Sequence, residues 1–581
     1  VLPTAMFLRP RRSQVGVSTS HKRRLLRLST PRNLVAALTL TLVGAYLTWS
    51  LSAGLACVGD CPRAGPASRP SPPEGGVSAF CDEHFGYGWL RRWNATAAPR
   101  CWTAEGHLPG SRVTCRSVRD EHMPAASAPH AMCDVRGLVV DTSRMTRARC
   151  PRHRPGYLCE TPTYHRYGQG AFELGCDWPS FSLADHSPDH GRDIYQAMAA
   201  GARGWLSPLV LRDTAPEPRP TLFVTREVRE HANLFHCLTD LLNAFLTLRM
   251  LGWQTWGVLL LDDHPPGPFD ELWARLHARG GGEGGDLVLT GGAKLPPVPR
   301  LSDITASKEG EGLGTEGCGG AACWGDGVAA RRFQLEAMLQ RGGSWRLTDP
   351  PTAGPKRPLY TAAAFPPPGY TSLLFAHLYE PSSCPHPTPL FADFRAFLLG
   401  LFDPARRTLG RPLAAAASDA FNVLVVSRRP GQGRRRVARQ LANEEELVDA
   451  LRALDGLEGR AVAVHLLDLA GLALEQQLAR IAQTDLLVGM HGAGLAHALL
   501  ARPGTALLEL WPQPEGIWRC YEHFAEWAGL HYGRWANPDP SKHQKRGPTG
   551  DTTEVDVAAV AELARQLLTQ VVASSGARQG S

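Results

Sequence analysis

Residues 485–511 read DLLVGMHGAGLAHALLARPGTALLELW, and the fold turns on how this stretch divides. The apolar run 485–490 has the length of a buried strand and stops at a histidine followed by two glycines. From residue 494 to 501 Leu and Ala dominate, which favours a helix, and 505–511 is again a short apolar run. Strand, tight turn, helix and strand are the grammar of a parallel sheet. At the turn, Gly492 and Gly494 let the backbone approach a ligand without a Cβ in the way, and a helix start presents free N–H groups to an anion. His491 can add a side-chain donor. The plainer reading stays open, in which the glycines only make a tight turn and His491 is a satisfied turn residue. The stretch is not the GxGxxG fingerprint, and no GxxxxGK[ST] loop occurs in the chain.

The same alternation extends outward. NVLVVSR (422–428), EEELVDALRAL (444–454), AVAVHLLDL (461–469) and LEQQLARIAQ (474–483) alternate strand and helix, so the C-terminal part reads as Rossmann-like. Earlier, TLFVTRE (221–227), a helix over 231–251 and TWGVLLLDD (255–263) form a second strand–helix–strand unit. A Gly-rich loop (309–328) and the Pro-rich PPTAGPKRP and FPPPGY lie between the two halves and read as loops or linkers.

With 581 residues, 43% hydrophobic and 20% charged, the chain can bury two or more cores. Residues 1–32 form a basic tail, with Arg9, Arg11, Arg12, Lys22, Arg23, Arg24, Arg27 and Arg32 and no acid. The whole chain carries only +7, so the remainder is close to neutral and gives no basic footprint for nucleic acid. Residues 33–58 carry no charge and are long enough to span a bilayer as a signal anchor. Cationic residues crowd the N-terminal flank, which predicts a single-pass type II orientation with the bulk of the chain lumenal. A cleaved signal peptide is the alternative, but this apolar run exceeds the usual length. Residues 59–80 are rich in Pro, Gly and Ser and read as a stem. Eight cysteines from Cys61 to Cys176 then predict an irregular, disulfide-tied cap in an oxidising compartment, where the sequon Asn94-Ala95-Thr96 is also usable. Cys318 and Cys323 suggest a loop bridge.

Several side chains stand where chemistry is expected. Glu509 ends a strand at the carboxyl edge, where open parallel sheets bind ligands, and could accept bonds from ribose hydroxyls or close a strand-end ion pair. Arg428 ends NVLVVSR at the same kind of edge and suits phosphate. Arg439 opens RQLANEEE, whose charges otherwise read as a solvated face. His236 and Asp240 are four apart on one helix and share a face. Such a pair can be a general base or a helix-stabilising contact. Asp262-Asp263-His264 ends a strand but lacks DxD spacing, and no metal site is assigned.

Taken together, VTREVREHANLFHCLTDLLNAFL, NVLVVSRR, RQLANEEELVDAL, QQLARIAQTDLLVGMHGAGLAH and LLELW resemble the family 61 glycosyltransferases over roughly residues 81–570. CDEHFGYGWLRRW and the TRE-x-x-x-ANLFH-x-x-TD segment are most similar to its plant-type β-1,2-xylosyltransferase branch, which modifies the core of N-linked glycans. The resemblance implies a GT-B-like α/β fold with two Rossmann-like lobes facing a cleft. The Cys-rich cap and acceptor-side lobe would occupy 81–400 and the nucleotide-sugar lobe 401–575. It implies an inverting transfer of xylose from UDP-xylose to the 2-hydroxyl of the core β-mannose, in the Golgi membrane. His236 and Asp240 then become the candidate base, and Arg428, Arg439, His491, Gly492, Gly494 and Glu509 the donor-binding set. No cofactor is firmly implied, and Mn or Mg is not required. Partners are an N-glycan acceptor on glycoproteins, a UDP-sugar and the membrane. The Gly-rich insertion at 309–328 and the basic GQGRRR after Arg429 depart from the pattern. Two other readings are a family 61 O-GlcNAc transferase acting on protein domains and a non-catalytic lumenal UDP-sugar-binding subunit.

Overall fold

In the computed structural model, alternating side chains of short parallel strands divide the interior into layers. The structure describes residues 77–102, 110–118, 130–148, 164–178, 190–204, 206, 210–211, 214–226, 232–262, 264, 267–281, 357–375, 378, 384–402, 420–430, 437–455, 457, 459–514, 518–547 and 550–579. The basic tail, the anchor at 33–58, the stem up to residue 76, Cys61, Cys150, Cys159, Cys318, Cys323, Asp263, the loop 309–328 and GQGRRR lie outside the described residues.

The first half builds a six-stranded sheet from β1 (Ala98–Trp102), β2 (Arg112–Val118), β3 (His130–Arg136), β4 (Thr221–Val224), β5 (Gly257–Leu260) and β6 (Ala363–Phe365), in the order β1-β2-β3-β6-β4-β5. Strands β6, β4 and β5 are parallel, and β1 to β3 extend them as an antiparallel meander. The expected strand–helix–strand unit is present. This sheet is nevertheless mixed, with only β6, β4 and β5 parallel in it, and the expected irregular cap supplies its other three strands. Its cysteines tie this meander: Cys115 bridges to Cys133 across the β2–β3 pair, and Cys101 on β1 to Cys176. Paired short strands with few apolar residues give little periodicity to read, because the disulfides replace part of the burial.

The second half is a five-stranded, wholly parallel sheet of β7 (Ala420–Val426), β8 (Ala461–Leu467), β9 (Leu486–Met490), β10 (Ala506–Trp511) and β11 (His531–Ala536), in the order β8-β7-β9-β10-β11. The first four match the strands read from the sequence. β11, HYGRWA, is an edge strand whose residues are nearly all half-buried, so it shows no apolar run. The expected helix from 494 is a 3₁₀ helix over Ala493–Leu500, begun by the Leu495 N–H on the Gly492 carbonyl at 2.9 Å. Eight residues wound at ~2.0 Å each cover ~16 Å, the length of the five-residue strand β9, whereas an α-helix would cover only ~12 Å.

Residues Ser71–Ser581 form one compact unit. The helix Leu234–Leu251, labelled α1 here, is capped by Asn233, whose side chain accepts from the Phe235 N–H at 3.0 Å, and closed by left-handed Gly252. It is the one helix among the described residues that is long and apolar enough to cross a membrane, but 78% of it is buried inside the protein. Its Leu234 and Leu238 share a core with Leu222 and Val224 of β4 and with Leu424, Val426, Leu487 and Leu507 of the parallel sheet. The alternate residues Val423, Val425, Val488 and Leu508 face a separate core covered by helices α2 (Glu444–Arg452) and α3 (Val557–Gln579). Odd-numbered positions of β10 therefore face the first half of the chain.

Candidate functional site

That parity decides where Glu509 points. It shares a face with Leu507, is wholly buried, and its carboxylate receives two donors. His491 Nδ1 bonds Oε1, and the Tyr532 hydroxyl donates to Oε2 at 2.5 Å. A buried carboxylate is tolerated when its oxygens are satisfied in this way. Burial, then Glu509, holds the Tyr532 hydroxyl far above its ordinary range, so it remains a donor. Each carboxylate oxygen meets a protein donor, so Glu509 orients His491.

His491 is itself buried, and its N–H donates to the Leu510 carbonyl at 2.8 Å. Its ring lies 4.1 Å from Trp511, 5.0 Å from Tyr521 and 5.5 Å from Trp518. Burial lowers the imidazole pKa, Glu509 opposes that, and Arg439 and Arg534 add to it. With Nδ1–H given to the Glu509 side chain, neutral His491 presents a lone pair at Nε2. When an anion binds there, the same nitrogen can take a proton and become a donor.

The glycines have a specific purpose here. A Cβ on Gly492 would lie 2.1 Å from Nη1 of Arg428, so the missing side chain is what admits the guanidinium. Gly494 approaches Val426 in the same manner, with 3.0 Å to Cγ1. Arg428 Nε donates to the Ala438 carbonyl at 3.2 Å. Arg439, next in the chain, has φ of 59° and is the one non-glycine with positive φ among the described residues. Its loop is held by a three-stranded sheet of Gln440–Leu441, His543–Gly547 and Gly550–Thr553, in which Gly550 abuts Val437 too closely for any side chain. Left-handed backbone at a branched-out cation costs on the order of 1–2 kcal/mol, a strain commonly retained at ligand sites. The acids that follow are not simply a solvated face. Glu444 is buried, accepts from Ser427 Oγ at 2.9 Å and pairs with Arg429 at 2.7 Å.

His236 and Asp240 sit in the first turns of α1. Asp240 packs beside Gly369, where a Cβ would meet its Oδ1 at 2.6 Å, and His236 lies 5.7 Å from the Phe375 ring. The link to His491 runs through neighbours: Phe235 lies 6.2 Å from Tyr521, which in turn lies 5.0 Å from His491. Asp262 is committed elsewhere. Arg226 meets it through Nη2 at 2.7 Å, Nε at 3.2 Å and its own N–H at 3.0 Å, and both side chains are almost wholly buried. The Arg226 charge holds this carboxyl well below the usual range despite burial. Among the described residues no group of three His, Cys, Asp or Glu is placed to hold a metal ion. Sequence reasoning missed the Arg226–Asp262 pair, Tyr532 and Arg534. Arg226 and Asp262 each stand two residues past the ends of in-register parallel strands, a signal that pairing β4 with β5 would have exposed.

Fold and site together define an α/β protein that gathers cations, backbone turns and one oriented histidine at the carboxyl edge of a parallel sheet. Such an edge concentrates positive charge and backbone donors. Residues 234–508 match the family model for glycosyltransferase 61, and the chain carries a glycosyltransferase 61 domain. It is 24% identical over 338 residues to a beta-1,2-xylosyltransferase of Oryza sativa subsp. japonica, covering 54% of this chain and 48% of that one. A beta-1,2-xylosyltransferase of Arabidopsis thaliana is 26% identical over 332 residues, covering 54% and 51%. An EGF domain-specific O-linked N-acetylglucosamine transferase of Mus musculus is 36% identical over 109 residues, 19% of this chain and 20% of that one. The chain thus spans about half the length of those xylosyltransferases and about a fifth of the N-acetylglucosamine transferase.

Proposed function

We propose that the protein moves xylose from UDP-xylose to the 2-hydroxyl of the core β-mannose of N-linked glycans, with inversion at the anomeric carbon. The observation that carries the donor half is the cationic edge formed by Arg428 against Gly492 beside the Glu509-oriented His491. In one in-line step the acceptor oxygen bonds to the sugar C1 as the C1–O bond to UDP breaks, and a base removes the hydroxyl proton. Arg428, Arg439 and His491 would hold the departing diphosphate, stabilising the charge that develops there. Asp240 or His236 would act as the base, since Phe235 beside His236 reaches the Tyr521 ring that packs on His491. We read the two halves as GT-B-like lobes, 81–400 and 401–575, in a Golgi type II protein anchored by residues 33–58. The donor is a substrate, and no metal is needed for this reading.

Xylose is preferred because the xylosyltransferase similarity runs over 54% of the chain. The shorter but stronger similarity to the N-acetylglucosamine transferase favours a second reading, transfer of N-acetylglucosamine to protein. One experiment separates them. The full chain in detergent micelles is incubated with an N-glycan acceptor and UDP-xylose, or with a folded EGF-type domain and UDP-GlcNAc, and acceptor masses are recorded. A pentose increment on the glycan is expected. An N-acetylhexosamine increment on the protein selects the second reading, and UDP binding without any transfer would make the protein a binding subunit.

A further inference from the structure

Beyond the donor set already described, the edge strand β11 places another cation on the same face. Arg534 pairs in register with Glu509, and Tyr532 with Leu507, so all four side chains emerge on the side that faces the first half of the chain. The Arg534 guanidinium carbon lies 4.7 Å from the centre of the Trp511 ring, which itself lies 4.1 Å from His491. Stacking on an aromatic face fixes a guanidinium while leaving its N–H groups to be used in the ring plane.

The balance of donors and acceptors here is uneven. Glu509, buried beneath this face, already receives His491 and Tyr532. Among the described residues Arg534 has no carboxylate partner, Arg439 Nε is buried without a hydrogen-bond partner, and so is Nε1 of Trp511, a residue only 5% exposed. Buried N–H groups without partners cost free energy, so a ligand rich in acceptor oxygens is what the face lacks. A nucleoside offers few such oxygens, and a diphosphate offers several with charge.

We infer that Arg534, steadied on Trp511, is a third cation for the diphosphate of the bound donor, with the Trp511 indole N–H supplying a further donor. This rests on the nucleotide-sugar reading above and extends it to residues outside that set. It also gives β11 a function beyond closing the sheet, since the strand would carry both the hydroxyl that holds Glu509 and a group that meets the ligand.

The test is titration calorimetry on the full chain in detergent micelles, with UDP and uridine as probes at two salt concentrations. Arg534→Ala should weaken UDP binding at least tenfold and flatten its salt dependence, while uridine binding changes less than twofold. Arg534→Lys, which keeps the charge but not the planar fork, should recover part of the loss. Trp511→Phe keeps a ring beneath Arg534 and removes the N–H, and should weaken UDP several-fold; it serves if Arg534→Ala fails to fold. UDP affinity within twofold of the parent in Arg534→Ala, together with a lowered melting temperature, would reduce Arg534 to a structural cation–ring contact and overturn the inference. If the parent protein binds no UDP, the nucleotide-sugar reading falls, and this inference with it.

Discussion

Gly492→Ala is the smallest change that should separate binding from folding. The backbone at Gly492 is extended, with φ 161° and ψ 174°, a conformation alanine adopts without strain. The added Cβ, however, would come 2.1 Å from Nη1 and 3.0 Å from Cζ of Arg428. Ordinary contacts of this kind require about 3.4 Å or more, so the guanidinium must retreat by about 1 Å. Arg428 is a half-buried, flexible side chain, so it can move, and the cost to folding should stay below about 1 kcal/mol. Its place at the turn would be lost. A hydrogen bond to a charged group contributes about 1.5–3 kcal/mol, which predicts a loss in UDP affinity of roughly 10- to 150-fold. Calorimetry with UDP and a thermal melt measure the two effects on the same sample. Arg428→Ala should give a similar loss, and the double substitution little more than either alone, because both act through one guanidinium. Parent-like UDP affinity in Gly492→Ala, or additive losses in the double variant, would refute this account of the glycine.

Four further outcomes are expected. Because burial lowers the pKa of His491, while a bound diphosphate would favour its protonated form, UDP binding should take up protons and tighten as pH falls from neutral; calorimetry in buffers of different ionisation enthalpy counts them. Folding responds oppositely at His497, where burial lowers the pKa to about 4: the unfolded chain takes the proton first, so stability is lost as pH falls from about 6.5 towards 4, visible in melts across that window. Replacing Cys81 and Cys384 by Ser releases a bridge between residues 303 apart and should cost about 2–5 kcal/mol in denaturant unfolding, with no change if the bridge does not form in solution. Arg226→Met strands the buried Asp262 carboxylate and should cost about 3–5 kcal/mol, and a loss below 1 kcal/mol would argue against the pair being dry.

The sequence alone determined the centre of the parallel C-terminal sheet, because its strands β7, β9 and β10 are apolar on both faces and each is punctuated by a turn or helix. DLLVGM, NVLVVSR and LLELW could hardly be anything else once glycines and Leu/Ala runs separated them. It also placed Arg428, His491, Gly492 and Glu509 at carboxyl ends of strands, since that follows from chain direction. The edge strand HYGRWA stayed hidden, because a half-buried edge carries no apolar run. The mixed first sheet stayed hidden as well, since strand direction and neighbours are set by pairing between distant parts of the chain, as when β6 joins β3 across more than 200 residues. Only tertiary structure turned Glu509 towards His491 and Tyr532, brought Arg428 onto Gly492 and committed Asp262 to Arg226. Periodicity records which face a residue occupies, but which partner meets it there depends on sheet order and on how far each backbone approaches the next.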